Sequence, residues 1–145
     1  MIKRTDEDKH LILTVGLPYA GKTTWARQTG LPMVVPDAIR MAYGCTFHDY
    51  LERQVWATAF TMVRALFLAG HSTVILVATN TTRKRRKEWH ALDWTLRYKV
   101  IPTPVEECIR RATDDNNPDL IQVIERMNAQ WEELDQYELL DLWEG

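Results

Sequence analysis

Gly16, Gly21, Lys22 and Thr23 fall in the spacing G-x-x-x-x-G-K-[ST], with Leu17, Pro18, Tyr19 and Ala20 between the glycines. Glycines let backbone N–H groups turn inward as an anion nest, and a helix opening behind them adds positive potential. That chemistry is phosphate binding. Lys22 is expected to reach the β- and γ-phosphates of ATP, the Thr23 hydroxyl to hold Mg²⁺, and Thr24 to donate to the α-phosphate. The cofactor-binding candidates are therefore Gly16, Leu17, Pro18, Tyr19, Ala20, Gly21, Lys22, Thr23 and Thr24, with Thr23 as the metal residue. The alternative is a glycine-rich strand-to-helix turn with a solvated lysine. Nothing structural demands lysine at that position.

Phosphoryl transfer also needs a positioned carboxylate and electrostatic clamps on the moving charge. Asp37 follows a strand candidate and opens a helix, so it is either a general base for an acceptor hydroxyl or a plain N-cap. Arg40 lies one turn further on the same face, suited to a phosphate on the acceptor. Thr79 and Asn80 lead into the basic run Arg83, Lys84, Arg85, Arg86, Lys87. Such a run is usually a solvated face. Cations in a helix's first turns oppose its dipole, and an anionic partner would offset that cost. Thr79, Asn80, Arg83 and Arg40 are the substrate-binding candidates. Arg110 and Arg111 precede a polar stretch, residues 113–117, and resemble a lid whose arginine stabilises transferring charge. Alternatively they form a surface pair facing Glu106 and Glu107. His10, His48, His71 and His90 show no metal spacing, and the tryptophans read as core by default.

These groups must be held by alternating strands and helices. Residues 11–15, 33–35, 74–78 and 99–101 read as strands, with a fifth possible. Helices are expected over residues 22–28 and 38–43, and a long one after Thr46, Phe47, His48 and Asp49, which have capping-box spacing. Phe47, Leu51, Val55, Ala59, Met62 and Leu66 form its apolar stripe, and Gly70 its stop. About fifteen helical residues are expected after Thr82. Thr103, Pro104 and Glu106 read as N-cap, N1 and N3 of the next helix. Asn117 and Pro118 open the last, with Ile121, Ile124, Met127, Trp131 and Leu134 on one face. Apolar strands separated by helices predict an α/β fold with a parallel sheet covered on both faces. Ligand groups then belong at the strands' carboxyl ends.

The ordered set is the residue 16–23 loop, then Pro36, Asp37, Ala38, Ile39 and Arg40, then Ala78, Thr79 and Asn80 before a basic helix, then Cys108, Ile109, Arg110 and Arg111. It resembles the P-loop kinase domain of phage-type polynucleotide 5′-hydroxyl kinases and the small AAA-like kinases close to zeta toxins. The resemblance covers about residues 11–133. It implies a P-loop NTPase fold of four to five parallel strands with a short helical lid. It implies ATP-Mg²⁺ on Lys22 and Thr23, Asp37 as general base, Arg40 on the acceptor's phosphate, and Arg111 as a lid arginine reaching the ATP phosphates. Lys22, Asp37 and Arg111 would be the catalytic group. Two positions depart from the pattern: Ala78 stands where an acid often precedes the T-N pair, and Asp115 where a second lid arginine is common.

At 145 residues one domain is expected. Residues 1–10 would be an N-terminal extension, 105–117 the lid region and 118–145 a C-terminal helical segment. The net charge of −2 excludes a generally basic protein, so any polyanion contact must be local. Cys45 and Cys108 form no disulfide framework, and reduced thiols in a cytoplasmic protein are expected. No membrane segment and no protein partner are evident. The leading reading is an ATP-dependent kinase acting on a polynucleotide 5′-hydroxyl. A small-molecule kinase for a nucleoside, sugar or antibiotic, and an ATP-binding regulator with little turnover, are the alternatives.

Overall fold

The computed structural model describes residues 8–44 and 49–145. Its centre is a four-stranded parallel sheet in the order β2-β3-β1-β4. The strands are β1 (His10–Val15), β2 (Met33–Val34), β3 (Thr73–Leu76) and β4 (Thr95–Val100). β1 pairs with β3 from His10↔Thr73 to Leu13↔Leu76 and with β4 from His10↔Thr95 to Val15↔Val100. The expected 1–10 extension is therefore shorter, because His10 already pairs on both sides.

The helices are α1 (Lys22–Thr29), α2 (Pro36–Ala42), α3 (Asp49–Leu68), α4 (Arg83–Lys87), α5 (Val105–Asp114) and α6 (Asp119–Ala129). A central strand with both faces covered is apolar throughout. Accordingly Leu11, Leu13 and Val15 pack with α3 residues Val55, Ala59, Val63 and Phe67, while Ile12 packs on the other face with Ala26 of α1. The α3 stripe differs from the expected one. Val63 is buried and Met62 is 40% exposed, since four-residue steps from Val55 and Ala59 lead to Val63. Phe47 and the capping-box residues 46–48 lie outside the described residues, as does Cys45. Gly70 ends α3 as expected, at φ 108°, with His71 N–H donating to Leu66 O.

Two expectations fail for one reason, that tertiary burial outweighs helical propensity. The segment after Thr82 is helical only to Lys87, and β4 replaces its continuation. Leu96 and Tyr98 are buried and Arg97 and Lys99 half-buried, the two-residue period of a strand. Likewise α6 stops at Ala129, so Trp131 and Leu134 are not helical, and the C-terminal segment is mostly irregular with a short 3₁₀ turn over Glu138–Asp141. That segment runs along β4, where Trp143 N–H donates to Tyr98 O at 2.8 Å. No helix among the described residues is long and apolar enough to cross a membrane.

Candidate functional site

Residues 16–24 form the turn from β1 into α1, at the carboxyl edge of the sheet. Gly16 N–H donates to Thr79 O at 3.0 Å, tying the loop to the end of β3. A Cβ on Gly16 would lie 3.1 Å from Ile101 O, so the close approach needs glycine. Tyr19 and Gly21 both hold positive φ, 67° and 102°, which turns the chain into the loop. Gly21 caps α1 without a side chain, leaving the helix's first N–H groups to a guest. Pro18 has no N–H to offer. Among the described residues neither the Thr23 nor the Thr24 hydroxyl is engaged; Thr23 is half-buried and Thr24 exposed.

Lys22 arches back over the loop. Its Nζ donates to Leu17 O at 2.6 Å and Gly16 O at 3.1 Å. Burial pushes its pKa down to about 8, and the Asp37 charge opposes that shift. This has a consequence for ligands. Phosphates favour the ammonium, which before a ligand binds is half titrated near pH 8 and fully charged only well below that pH. Above it a proton must be taken up on binding. The Kd for ATP is therefore expected to be flat below that pH and to rise up to about tenfold per pH unit above it. Calorimetry in two buffers would also show proton uptake. A Kd unchanged from about pH 7 to pH 10 counts against the shift.

Arg111 reaches the same loop from α5. Its Nη1 donates to Tyr19 O at 3.0 Å and its Nε to Glu107 Oε1 at 3.1 Å. Arg110, by contrast, faces Glu107 and Asp114 on the surface. The Arg110 guanidinium, then that of Arg111, holds the pKa of the half-buried Glu107 carboxyl down at about 2. Asp115, at the departure from the family pattern, accepts from the Tyr19 hydroxyl at 2.5 Å and raises the pKa of that phenol. Cys108, Ala112 and Ile124 pack under Leu17 and Ala20. The 105–117 region thus lies against the loop. Thr103 does not cap α5; Pro104 occupies that position, and the Thr103 hydroxyl donates instead to Ala20 O at 2.7 Å.

Asp37 sits in the first turn of α2, with Pro36 opening the helix. Its carboxylate is 87% exposed and accepts from Arg40 Nη1 at 2.5 Å. Arg40 is also held bidentately by Glu52 of α3, Nε to Oε2 at 2.7 Å and Nη2 to Oε1 at 2.6 Å. The guanidinium therefore has two carboxylate partners where an acceptor phosphate was expected. Glu52 is twelve residues away, and nothing in its local sequence marks it.

The T-N pair holds the site together from beneath. Thr79 contributes its carbonyl to Gly16 N–H. Asn80 does not point at a substrate: it is 1% exposed, at φ 47°, and its Nδ2 donates to Thr14 O at 2.9 Å. Its Oδ1 is buried with no partner among the described residues. The Thr14 hydroxyl, in turn, donates to Ala78 O at 2.8 Å, so β1 and β3 are clasped where they meet the loop. Thr14 was hidden in an apolar strand. The basic run also divides. Arg83 is exposed, with its Nε on Glu133 O at 3.2 Å, but Arg86 is wholly buried. Arg86 Nε meets Glu138 Oε2 at 2.7 Å and its Nη1 donates to Asn80 O at 2.9 Å. The run is not one solvated face, because the Asn80 turn needs that inward cation. Among the described residues no His, Cys, Asp and Glu cluster could hold a metal.

Arg111 thus touches the loop that carries Lys22, and Asp37 acts on Lys22 only through its charge. The parallel sheet with this loop at its carboxyl edge is that of a kinase-like P-loop fold. Structural comparison agrees. A chain in the structure of a Pnkp1/Rnl/Hen1 complex superposes with a TM-score of 0.65 at 25% identity, over 76% of this chain and 41% of that one. A second structure, of the Pnkp1/Rnl/Hen1 RNA repair complex, matches at 0.65 and 18% identity, over 88% and 48%. This chain spans less than half the length of either. A gluconokinase from Sinorhizobium meliloti 1021 shares the fold at TM-score 0.54 and 14% identity, over 94% and 82%. Residues 11–134 match the family model described as AAA domain, and the chain belongs to that family.

Proposed function

We propose that this protein is an ATP-dependent kinase that transfers the γ-phosphate to a hydroxyl, with the 5′-hydroxyl of a polynucleotide as acceptor. One observation carries the reading: an exposed carboxylate, Asp37, stands within electrostatic reach of the phosphate-loop Lys22 and partly offsets the fall in pKa that burial imposes on that lysine. A base facing solvent beside a phosphate-binding cation is what phosphoryl transfer to an outside hydroxyl requires. Asp37 takes the hydroxyl proton as the oxygen bonds to the γ-phosphorus, and the bond to the β–γ bridging oxygen breaks to release ADP. Lys22 leaves the Gly16 and Leu17 carbonyls for the β- and γ-phosphates. The backbone of residues 16–24 wraps the phosphates, and Arg111 meets the charge that develops during transfer. Thr23 would hold Mg²⁺, which supplies charge neutralisation on the phosphates. The likeness to a chain of an RNA repair complex agrees in fold. A cytoplasmic location fits the free Cys108 thiol.

A second reading, a small neutral acceptor, is favoured by the double carboxylate pairing of Arg40, which leaves less positive charge for an acceptor phosphate. The test is transfer of label from γ-labelled ATP with Mg²⁺ to a 5′-hydroxyl oligonucleotide, beside nucleoside and sugar acceptors, compared with Lys22→Ala. Label on the oligonucleotide that disappears in Lys22→Ala is expected. Label on a small acceptor alone selects the second reading. ATP binding with no transfer to any hydroxyl selects a regulatory module.

A further inference from the structure

We propose that α4 carries a track for the phosphodiester backbone of a single-stranded polynucleotide, running from Arg85 beside Trp56 to a groove lined by Arg83, Lys84 and Lys87. The inference deepens the reading of a polynucleotide acceptor and rests on it for direction. It begins from how the basic run is divided. Arg86 is spent inward on Glu138 and Asn80 O, and the other four cations remain on the outer surface of a five-residue helix.

Arg85 leans toward the Asp37 side. Its guanidinium lies 4.8 Å from the centroid of the half-buried Trp56 ring, and Arg40 lies 5.8 Å from the same centroid. Glu52, the partner of Arg40, also feels the Arg85 charge. One aromatic ring thus joins the start of α4 to the Asp37, Arg40 and Glu52 cluster. Arginines set over an aromatic ring are a common device for single-stranded nucleic acid.

On the other side of α4, Arg83, Lys84 and Lys87 line a groove of about 600 Å³ together with Glu88 and Glu132. Glu132 is turned to the Arg83 N–H and Glu88 to Arg85. Among the described residues neither Lys84 nor Lys87 has a carboxylate oxygen within 4.0 Å, and Asp135 acts on Lys87 only at longer range. Arg83 and Lys87 stand at i,i+4, where like charges repel. A chain of phosphates crossing this face relieves that repulsion, and its spaced charges suit several lysines better than one small anion does.

The test is binding of a labelled single-stranded 5′-hydroxyl oligonucleotide of about twelve nucleotides, followed by fluorescence anisotropy across a salt series. Wild type, Lys84→Ala/Lys87→Ala and Lys84→Arg/Lys87→Arg are compared, with melting temperatures confirming that each is folded. Wild-type affinity should fall as salt rises. Two lost phosphate contacts should make the slope of log K against log salt shallower by about 1.4 and weaken binding about 25-fold at 0.1 M salt. The arginine pair should keep the wild-type slope. Equal slopes in wild type and the alanine pair, no salt-dependent binding by wild type, or equal binding to polyglutamate of matched charge would each overturn the track. The last outcome would mark a surface for an acidic protein. Salt-dependent binding that needs Lys84 and Lys87, with no transfer to any hydroxyl, would overturn the kinase reading and leave the track standing.

Discussion

Glu138→Ala should lower the stability of the protein by about 3–5 kcal/mol, because it leaves the Arg86 guanidinium buried without a counter-charge. Arg86 is 0% exposed and the Glu138 side chain 9%, so water cannot replace the lost carboxylate. Glu138 Oε1 also accepts from Asp135 N–H at 3.0 Å, so the C-terminal turn loosens as well. For a chain of this size the loss corresponds to a melting temperature lower by roughly 10–15 °C. A paired change, Arg86→Met with Glu138→Leu, should recover most of it, since a buried ion pair replaced by apolar groups of similar volume is often neutral. Urea denaturation of the three proteins measures this. A loss below about 1 kcal/mol in Glu138→Ala would mean that the pair is hydrated in solution. The effect reaches function through Asn80. Arg86 holds the Asn80 carbonyl, the Asn80 amide holds Thr14, and Thr79 holds Gly16. Residual folded Glu138→Ala should therefore bind ATP more weakly, although Glu138 is far from the loop in sequence.

Asp37→Asn should reduce kcat for phosphate transfer by about 10²–10⁴-fold, the range for removing a positioned general base. ATP affinity should change only a few-fold. The substitution keeps the shape of an exposed side chain, and Arg40 keeps both bonds to Glu52, so the fold has little reason to respond. Separate measurement of nucleotide binding by calorimetry and of single-turnover transfer distinguishes the two quantities. A kcat within about threefold of wild type would assign proton removal to another group and leave Asp37 as a helix-start residue. A tenfold or greater loss of ATP affinity would instead place Asp37 in support of Lys22, to which it is electrostatically coupled.

The phosphate loop and the parallel sheet were legible in the sequence because both depend on local chemistry. Glycine spacing, an apolar run and a helix start are contiguous signals, and α1 and β1 occur within a residue or two of where they were expected. Boundaries failed where burial decided. The chain after Lys87 became β4 because Trp94, Leu96 and Tyr98 fill the core against α3, and no local propensity carries that information. The basic run read as one face, since five adjacent cations give no clue to which of them turns inward. Only the fold brings Glu138 to Arg86, fifty-two residues apart, and Glu52 to Arg40.

One short segment of sequence was enough to outline the proposed donor half: a glycine loop between strand and helix that would cradle phosphate, with Lys22 and Thr23 in it. Those roles are set by backbone geometry and residue type within one short segment. The tertiary structure alone decided what surrounds that half. It laid Arg111 on Tyr19, turned Asn80 from a substrate contact into a clasp, paired Arg40 with Glu52 and divided α4 between core and groove. Each of these is a long-range electrostatic or hydrogen-bonding choice, made because a buried charge or amide must find its partner wherever the fold brings one within reach.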